Sequence, residues 1–140
     1  MNDRSHASTP VVLDTNVFVG AGFNLRSSSA KIVDAVRKGQ FRMIWNDATR
    51  REIERIMRQI PPSRAQGVSD LFRSEDCYAG PTHRERFGFP DPDDRKFAAL
   101  AEAAGAVLVS SDDHLLNHRD RIDVPVLTPG EFWRRRSKAR

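Results

Sequence analysis

Four acidic residues, Asp14, Glu52, Asp94 and Asp112, stand where a single site could use them. Asp14 closes the apolar run Val11-Val12-Leu13, and Asp112 follows a second such run, Ala106–Val109. Asp94 falls in the first turn of the helix expected before that second run, and Glu52 stands one residue before Ile53, at the margin of an apolar helix face. If the two runs are parallel strands, their ends share a rim, and ligands of open parallel sheets bind beyond the carboxyl ends of the strands. Carboxylates gathered there repel, since two unit charges about 5 Å apart cost about 3 kcal/mol at an effective dielectric of about 20. Such a cluster persists by holding protons or by binding a hard divalent cation. Mg²⁺ or Mn²⁺ takes oxygen ligands, keeps several waters, acidifies one of them and screens phosphoryl oxygens. The chemistry implied is hydrolysis of a phosphodiester.

Each residue also has a plainer reading. Asp91 reads as a helix cap, and Asp94 taken alone serves equally well as the N3 partner of a capping box. Glu52 alone reads as a solvated helix residue, and Asp112 with Asp113 as the start of a turn. Asp14 is harder to dismiss, because an acid at the end of a buried strand is costly without a partner. The weight lies in the combination. His114 and His118, four apart with no evident third ligand, read as surface histidines, and Cys77 as a buried small residue rather than a nucleophile.

The elements that must position these acids alternate in type. Residues 1–10 read as a loose polar tail, Val11–Leu13 as a buried parallel strand. Ser27-Ser28-Ser29 caps a helix carrying Ile32, Val33 and Val36 and stopped by Gly39. Phe41–Trp45 is a second strand. Asn46 or Asp47 caps the clearest helix, with Ile53, Ile56, Met57 and Ile60 at i, i+3, i+4 and i+7 and Pro61-Pro62 as its end. A weaker helix over 63–72, a short strand at Cys77–Ala79 and a loop over 80–90 follow. Asp91 at N-cap, Pro92 at N1 and Asp94 at N3 open the next helix, whose inner face is Phe97, Leu100, Ala101 and Ala104 and whose stop is Gly105. After the strand 106–109 come a short helical turn at Leu115-Leu116 and a last strand at 124–127, marked as an edge by Pro125. Thr128-Pro129-Gly130-Glu131 starts a final helix, and 134–140 reads as a basic tail. Strands alternating with helices predict one α/β domain over 11–133, with a central parallel sheet covered on both faces.

Composition supports that frame. A chain of 140 residues with 39% hydrophobic and 30% charged residues makes one ordinary domain, not a disordered segment. The single cysteine excludes an internal disulfide and any multi-thiolate metal site. No apolar run reaches the ~18 residues of a membrane span, and the first ten residues carry no signal-type apolar stretch, so a soluble, cytoplasmic protein without a membrane partner is expected. Setting the four acids aside, 23 basic residues face the remaining 15 acidic ones, a balance of +8. A basic exterior around an acidic hole suits a polyanion held through metal, with Arg26, Lys31, Arg95 and Lys96 as candidate phosphate contacts.

These same stretches resemble the PIN-domain ribonucleases, particularly the small bacterial toxin-like members. The resemblance runs through Val11-Val12-Leu13-Asp14-Thr15-Asn16-Val17, then Asn46 to Glu52-Ile53. It continues through Asp91-Pro92-Asp93-Asp94-Arg95-Lys96-Phe97, Val107 to Asp112 with Leu115-Leu116, and Val126 to Phe132. It implies a three-layer α/β/α sandwich and a Mg²⁺- or Mn²⁺-dependent endoribonuclease acting on single-stranded or structured RNA. Asp14, Glu52, Asp94 and Asp112 would be its acidic metal and catalytic residues, with Asn16 and Ser110 as polar supports. It further implies a cognate antitoxin and frequent homodimers. Asn46 stands where the family usually has Ser, and Ser110-Ser111 where Thr-Gly is commoner, and both changes keep small polar groups. A non-catalytic RNA-binding or scaffolding PIN-like module is the alternative, although such relatives typically lose acids. A phosphatase or phosphotransfer domain fits poorly, because position 16 is Asn where a second Asp would be needed.

Overall fold

The computed structural model describes residues 9–61, 67–88 and 92–138, with 86, 92–94, 137 and 138 described by their backbone alone. Strands β1 (Thr9–Leu13), β2 (Phe41–Met43), β3 (Val107–Val109) and β4 (Val126–Leu127) form a parallel sheet in the order β2-β1-β3-β4. Val11 pairs with Met43 on one side and Val107 on the other. Val11, Val12 and Leu13 are all buried, because a central strand covered by helices has no wet face and its sequence is a continuous apolar run. β4 lies at the edge, as Pro125 predicts, and the Pro125 carbonyl accepts from Leu108 N at 2.9 Å. β1 begins two residues before its apolar run, so Thr9 and Pro10 belong to the sheet and not to a tail: both pair with β2.

Among the described residues six α-helices accompany the sheet: α1 (Thr15–Phe23), α2 (Ser28–Arg37), α3 (Asp47–Met57), α4 (Pro92–Ala104), α5 (Asp113–Leu116) and α6 (Pro129–Lys138). α2 packs on α1, α6 and β2, while α4 packs on β1 and β3. The chain moves from β1 to β2 on one side, then passes back over β1 to reach β3 and β4 on the other. Right-handed crossovers running in opposite directions put their helices on opposite faces. The result is an α/β/α sandwich whose winding reverses between β1 and β3.

Local chemistry sets the helix ends. Ser27 Oγ accepts from Ala30 N at 3.1 Å and starts α2. Asn46, not Asp47, caps α3 in a reciprocal box with Thr49, both bonds being 3.0 Å. Thr128 and Glu131 form the same kind of box at α6. Gly39 and Gly105 end α2 and α4 at φ +82° and +66°, a left-handed conformation that side chains disfavour. The expected cap Asp91 lies outside the described residues, as do the side chains of Asp93 and Asp94.

Several expectations change. α1 carries no sequence signal of its own, because Val17, Phe18, Val19 and three small residues leave it without a polar stripe. α3 stops at Met57, before Pro61, and its last turn closes through Gln59 N to Ile56 O and Ile60 N to Met57 O. Of the weaker helix over 63–72, residues 63–66 lie outside the described residues. Its remainder holds one tight turn, Ser69–Leu71, that buries Leu71 beside Phe72. The strand expected at Cys77 reduces to one parallel bridge with Trp45, and Cys77 itself is exposed rather than buried. The basic tail beyond Trp133 is helical through Lys138, with Arg136 stacked 3.8 Å over the Trp133 ring. Among the described residues no helix is long and apolar enough to cross a membrane.

Candidate active site

The reversal of winding leaves a crevice beyond the carboxyl ends of β1 and β3, the usual ligand position in such sheets. Asp14 occupies the first position after β1 and Ser110 the first after β3. The backbone joins them directly, Asp14 N donating to Val109 O at 3.1 Å. Asp14 is also the N-cap of α1, and its Oδ1 accepts from Val17 N at 3.3 Å. Ser110 Oγ donates to Asp14 Oδ2 and accepts from Asp112 N at 2.9 Å. Asp112 in turn caps α5 by accepting from His114 N at 2.9 Å. One short chain of bonds therefore runs Asp14–Ser110–Asp112 across the crevice.

Asp14 is 4% exposed and Ser110 fully buried. Burial pushes the Asp14 carboxyl up to about 7, and the charge of Asp112 adds to that, while the bonds from Ser110, Val17 and the Asn16 backbone pull the other way. Asp14 has no cationic partner among the described residues. Asp112 Oδ2 has no hydrogen-bond partner among them either. Oxygen-only donors, a buried acid that holds its proton for want of a countercharge, and a second acid beside it fit a hard divalent cation.

The other predicted residues are placed differently. Glu52, on α3, has a side chain only 10% exposed, and its Oε1 meets Arg55 Nη2 at 3.0 Å and Lys96 Nζ at 3.6 Å. Asp94 lies in the first turn of α4, its side chain outside the described residues. Among the described residues no three His, Cys, Asp or Glu side chains are grouped to hold an ion, so Asp14 and Asp112 come together while Glu52 stands in its own ion pair. The Asn16 side chain is exposed and makes no hydrogen bond among the described residues, and its backbone N–H is what bears on Asp14. His118 Nδ1 lies 2.6 Å from the His114 carbonyl oxygen, a bond within one turn.

Sequence reasoning placed Lys96 among free phosphate contacts, but its side chain is 14% exposed and turned to Glu52. No spacing rule relates residues 52 and 96, which meet only because α3 packs on α4. It also passed over Thr15, whose buried Oγ1 has no partner among the described residues. Arg26 and Lys31 are exposed as expected.

No curated protein sequence matches this chain significantly. A family profile described as PIN domain matches residues 10–114, a span that opens in β1 and closes just past Asp112. With that match over well more than half its length, on a parallel sheet wound as described, the chain belongs to the PIN domain family, a family of nucleases.

Proposed function

We propose that this protein is a divalent-metal-dependent endoribonuclease and the toxin of a toxin–antitoxin pair. The observation that carries the reading is the Asp14–Ser110–Asp112 chain at the winding reversal, with the Asp14 carboxyl pushed up to about 7 by burial. PIN nucleases typically use divalent metals. Bound here, Mg²⁺ or Mn²⁺ would supply a more acidic water and screen the phosphoryl oxygens.

The protein's own groups do the rest. Asp14 would hold the cation most directly, and Asp112 would support it from the facing strand end. Ser110 keeps Asp14 oriented, since its hydroxyl donates to the Asp14 carboxylate while accepting from the backbone N–H of Asp112. Glu52 and Asp94, on the two packed helices α3 and α4, would hold the ion or its waters, and one of them takes the proton of the attacking water. Water adds at phosphorus, the P–O3′ bond breaks, the leaving O3′ takes a proton from solvent, and the ends are a 5′-phosphate and a 3′-hydroxyl. The basic exterior grips the RNA backbone, so binding weakens steeply with salt.

The protein partner in this reading is an antitoxin segment. Phe23 is 53% and Leu25 75% exposed. Leu25 lines a groove with Phe18, Ala21, Ala30 and Val33, bordered by the charged Lys31, Asp34 and Arg37. Exposed Phe23 and Leu25 beside such a mixed groove suit a protein contact, and a homodimer would draw on the same patch.

Purified protein with Mn²⁺ should cut single-stranded RNA internally and stop in EDTA. Cleavage that persists in EDTA, or ends bearing cyclic phosphate, would overturn the metal mechanism. Binding of RNA without any cut would leave a non-catalytic module.

A further inference from the structure

Glu52 and Lys96 form an ion pair between α3 and α4 that is withdrawn from water on both sides, with side chains 10% and 14% exposed. Such a pair is costly to build, because both ions lose hydration that the charges around them must replace. Arg55 shares the same carboxylate oxygen but is 52% exposed, so water screens much of its charge. Both cations meet Oε1, and Oε2 has no hydrogen-bond partner among the described residues. Glu52 is thus held by one oxygen and presents the other.

The pair contrasts with Asp14, which has no countercharge and answers its burial by holding a proton. Glu52 answers the same problem with a resident ammonium. Resting on the nuclease reading above, we propose that Lys96 is a positioning residue that occupies Glu52 in the metal-free protein and competes with the divalent cation for it, thereby setting how tightly the site takes metal. A cation arriving at Glu52 meets the charge of Lys96 Nζ, 3.6 Å from the carboxylate oxygen. Removal of that charge relieves a repulsion of several RT at any reasonable interior dielectric, so metal affinity should rise and not fall. A purely structural lysine would, on removal, loosen the α3–α4 contact and leave affinity unchanged or weaker.

The test uses the full-length chain and Mn²⁺ alone, with free Mn²⁺ followed by electron paramagnetic resonance and binding heat by calorimetry. Lys96→Met should bind Mn²⁺ about tenfold tighter than wild type, while Lys96→Arg, which keeps the charge, stays within about twofold. Arg55→Met should change affinity much less than Lys96→Met, because its charge is already screened. In a Glu52→Gln background the Lys96→Met gain should shrink clearly, which locates the competition in this pair. If Lys96→Met does not fold, as judged by circular dichroism, Lys96→Gln replaces it with the same expectation. Unchanged or weaker Mn²⁺ binding in the lysine variants, or a gain of undiminished size without Glu52, overturns the role given to Lys96 while leaving the metal site standing. A wild type that binds no Mn²⁺ at all overturns the metal reading, and this inference with it.

Discussion

Two aspartates in this molecule are equally buried and differently served. Asp14 and Asp76 are each 4% exposed. Asp76 sits at the β2 side of the sheet, where Arg42 Nε reaches its Oδ1 at 2.9 Å. Asp14 sits at the winding reversal and meets only neutral donors, Ser110 and backbone N–H groups, with the acid Asp112 beside it. Asp76, with its own cation, is part of the scaffold. A buried acid whose neighbours are other acids and neutral donors retains its proton or waits for an outside cation. Burial alone therefore does not separate the two; the absence of a built-in countercharge at Asp14 does.

The largest expected effect separates the two by activity. Asp14→Asn should lower RNA cleavage by more than about a hundredfold, since even groups that only support metal ligands are worth about ten- to a hundredfold. Asp76→Asn should leave the rate per folded molecule within about twofold of wild type, because its partner Arg42 stands on β2 and not at the crevice. Cleavage assays at equal folded concentration check both, and equal losses would erase the distinction.

Stability in EDTA should reverse the order. Asp76→Ala strips Arg42 of its partner and opens a buried polar gap, a loss of about 1–3 kcal/mol, or several degrees in melting temperature for a domain of this size. Asp14→Asn keeps an oxygen for Val17 N and removes a buried charge, so at pH 7.5 its melting temperature should be equal to or above that of wild type. A melt in which Asp14→Asn falls further than Asp76→Ala would show Asp14 to be scaffold.

The pH dependence sharpens the same contrast. Asp14 retains its proton to about pH 7 in the fold against an ordinary value of 3.8 in the unfolded chain. Between those values the folded state binds more protons, so metal-free stability should fall as pH rises from about 4 to about 7, by an amount on the order of a few kcal/mol. Below that window the residue contributes no penalty, and above it the penalty is complete. Denaturant titrations across the window should show a decline that Asp14→Asn flattens; an equal slope in the variant would exclude Asp14 as its source.

The metal itself supplies a further comparison. Mn²⁺ should raise the wild-type melting temperature by mass action on the folded state, about 2.7 kcal/mol at a hundredfold excess over Kd, and should raise that of Asp14→Asn less. Asp123→Asn should respond as wild type does, because Asp123 precedes β4 and so lies at the opposite end of the sheet from the crevice. Scanning calorimetry with and without Mn²⁺ compares the three.

Much of this was written in local sequence. The apolar runs before Asp14 and Ser110 made β1 and β3 legible, since a strand buried on both faces has no polar residues to interrupt it. Ser27, Asn46 and Thr128 announced their helices because a cap works through bonds to residues two or three positions on. Gly39 and Gly105 announced the stops, and Pro125 the edge. The positions of Asp14 and Asp112 at one rim followed once the strands were parallel. What escaped was whatever depends on surroundings. α1 packs against α2 and α3 but carries Val19, Gly20, Ala21, Gly22 and Phe23 toward its less buried side, and so lacks the polar stripe by which helices are recognised. The order β2-β1-β3-β4, and with it the crevice between β1 and β3, is a choice among pairings that strand sequences alone do not rank. The proton held by Asp14 comes from burial, and the pair of Glu52 with Lys96 from two helices packed together. Caps, stops and apolar runs act through neighbours in the chain and are readable there, whereas charge compensation acts through space, and only the packed structure decides which acid receives a cation and which is left without one.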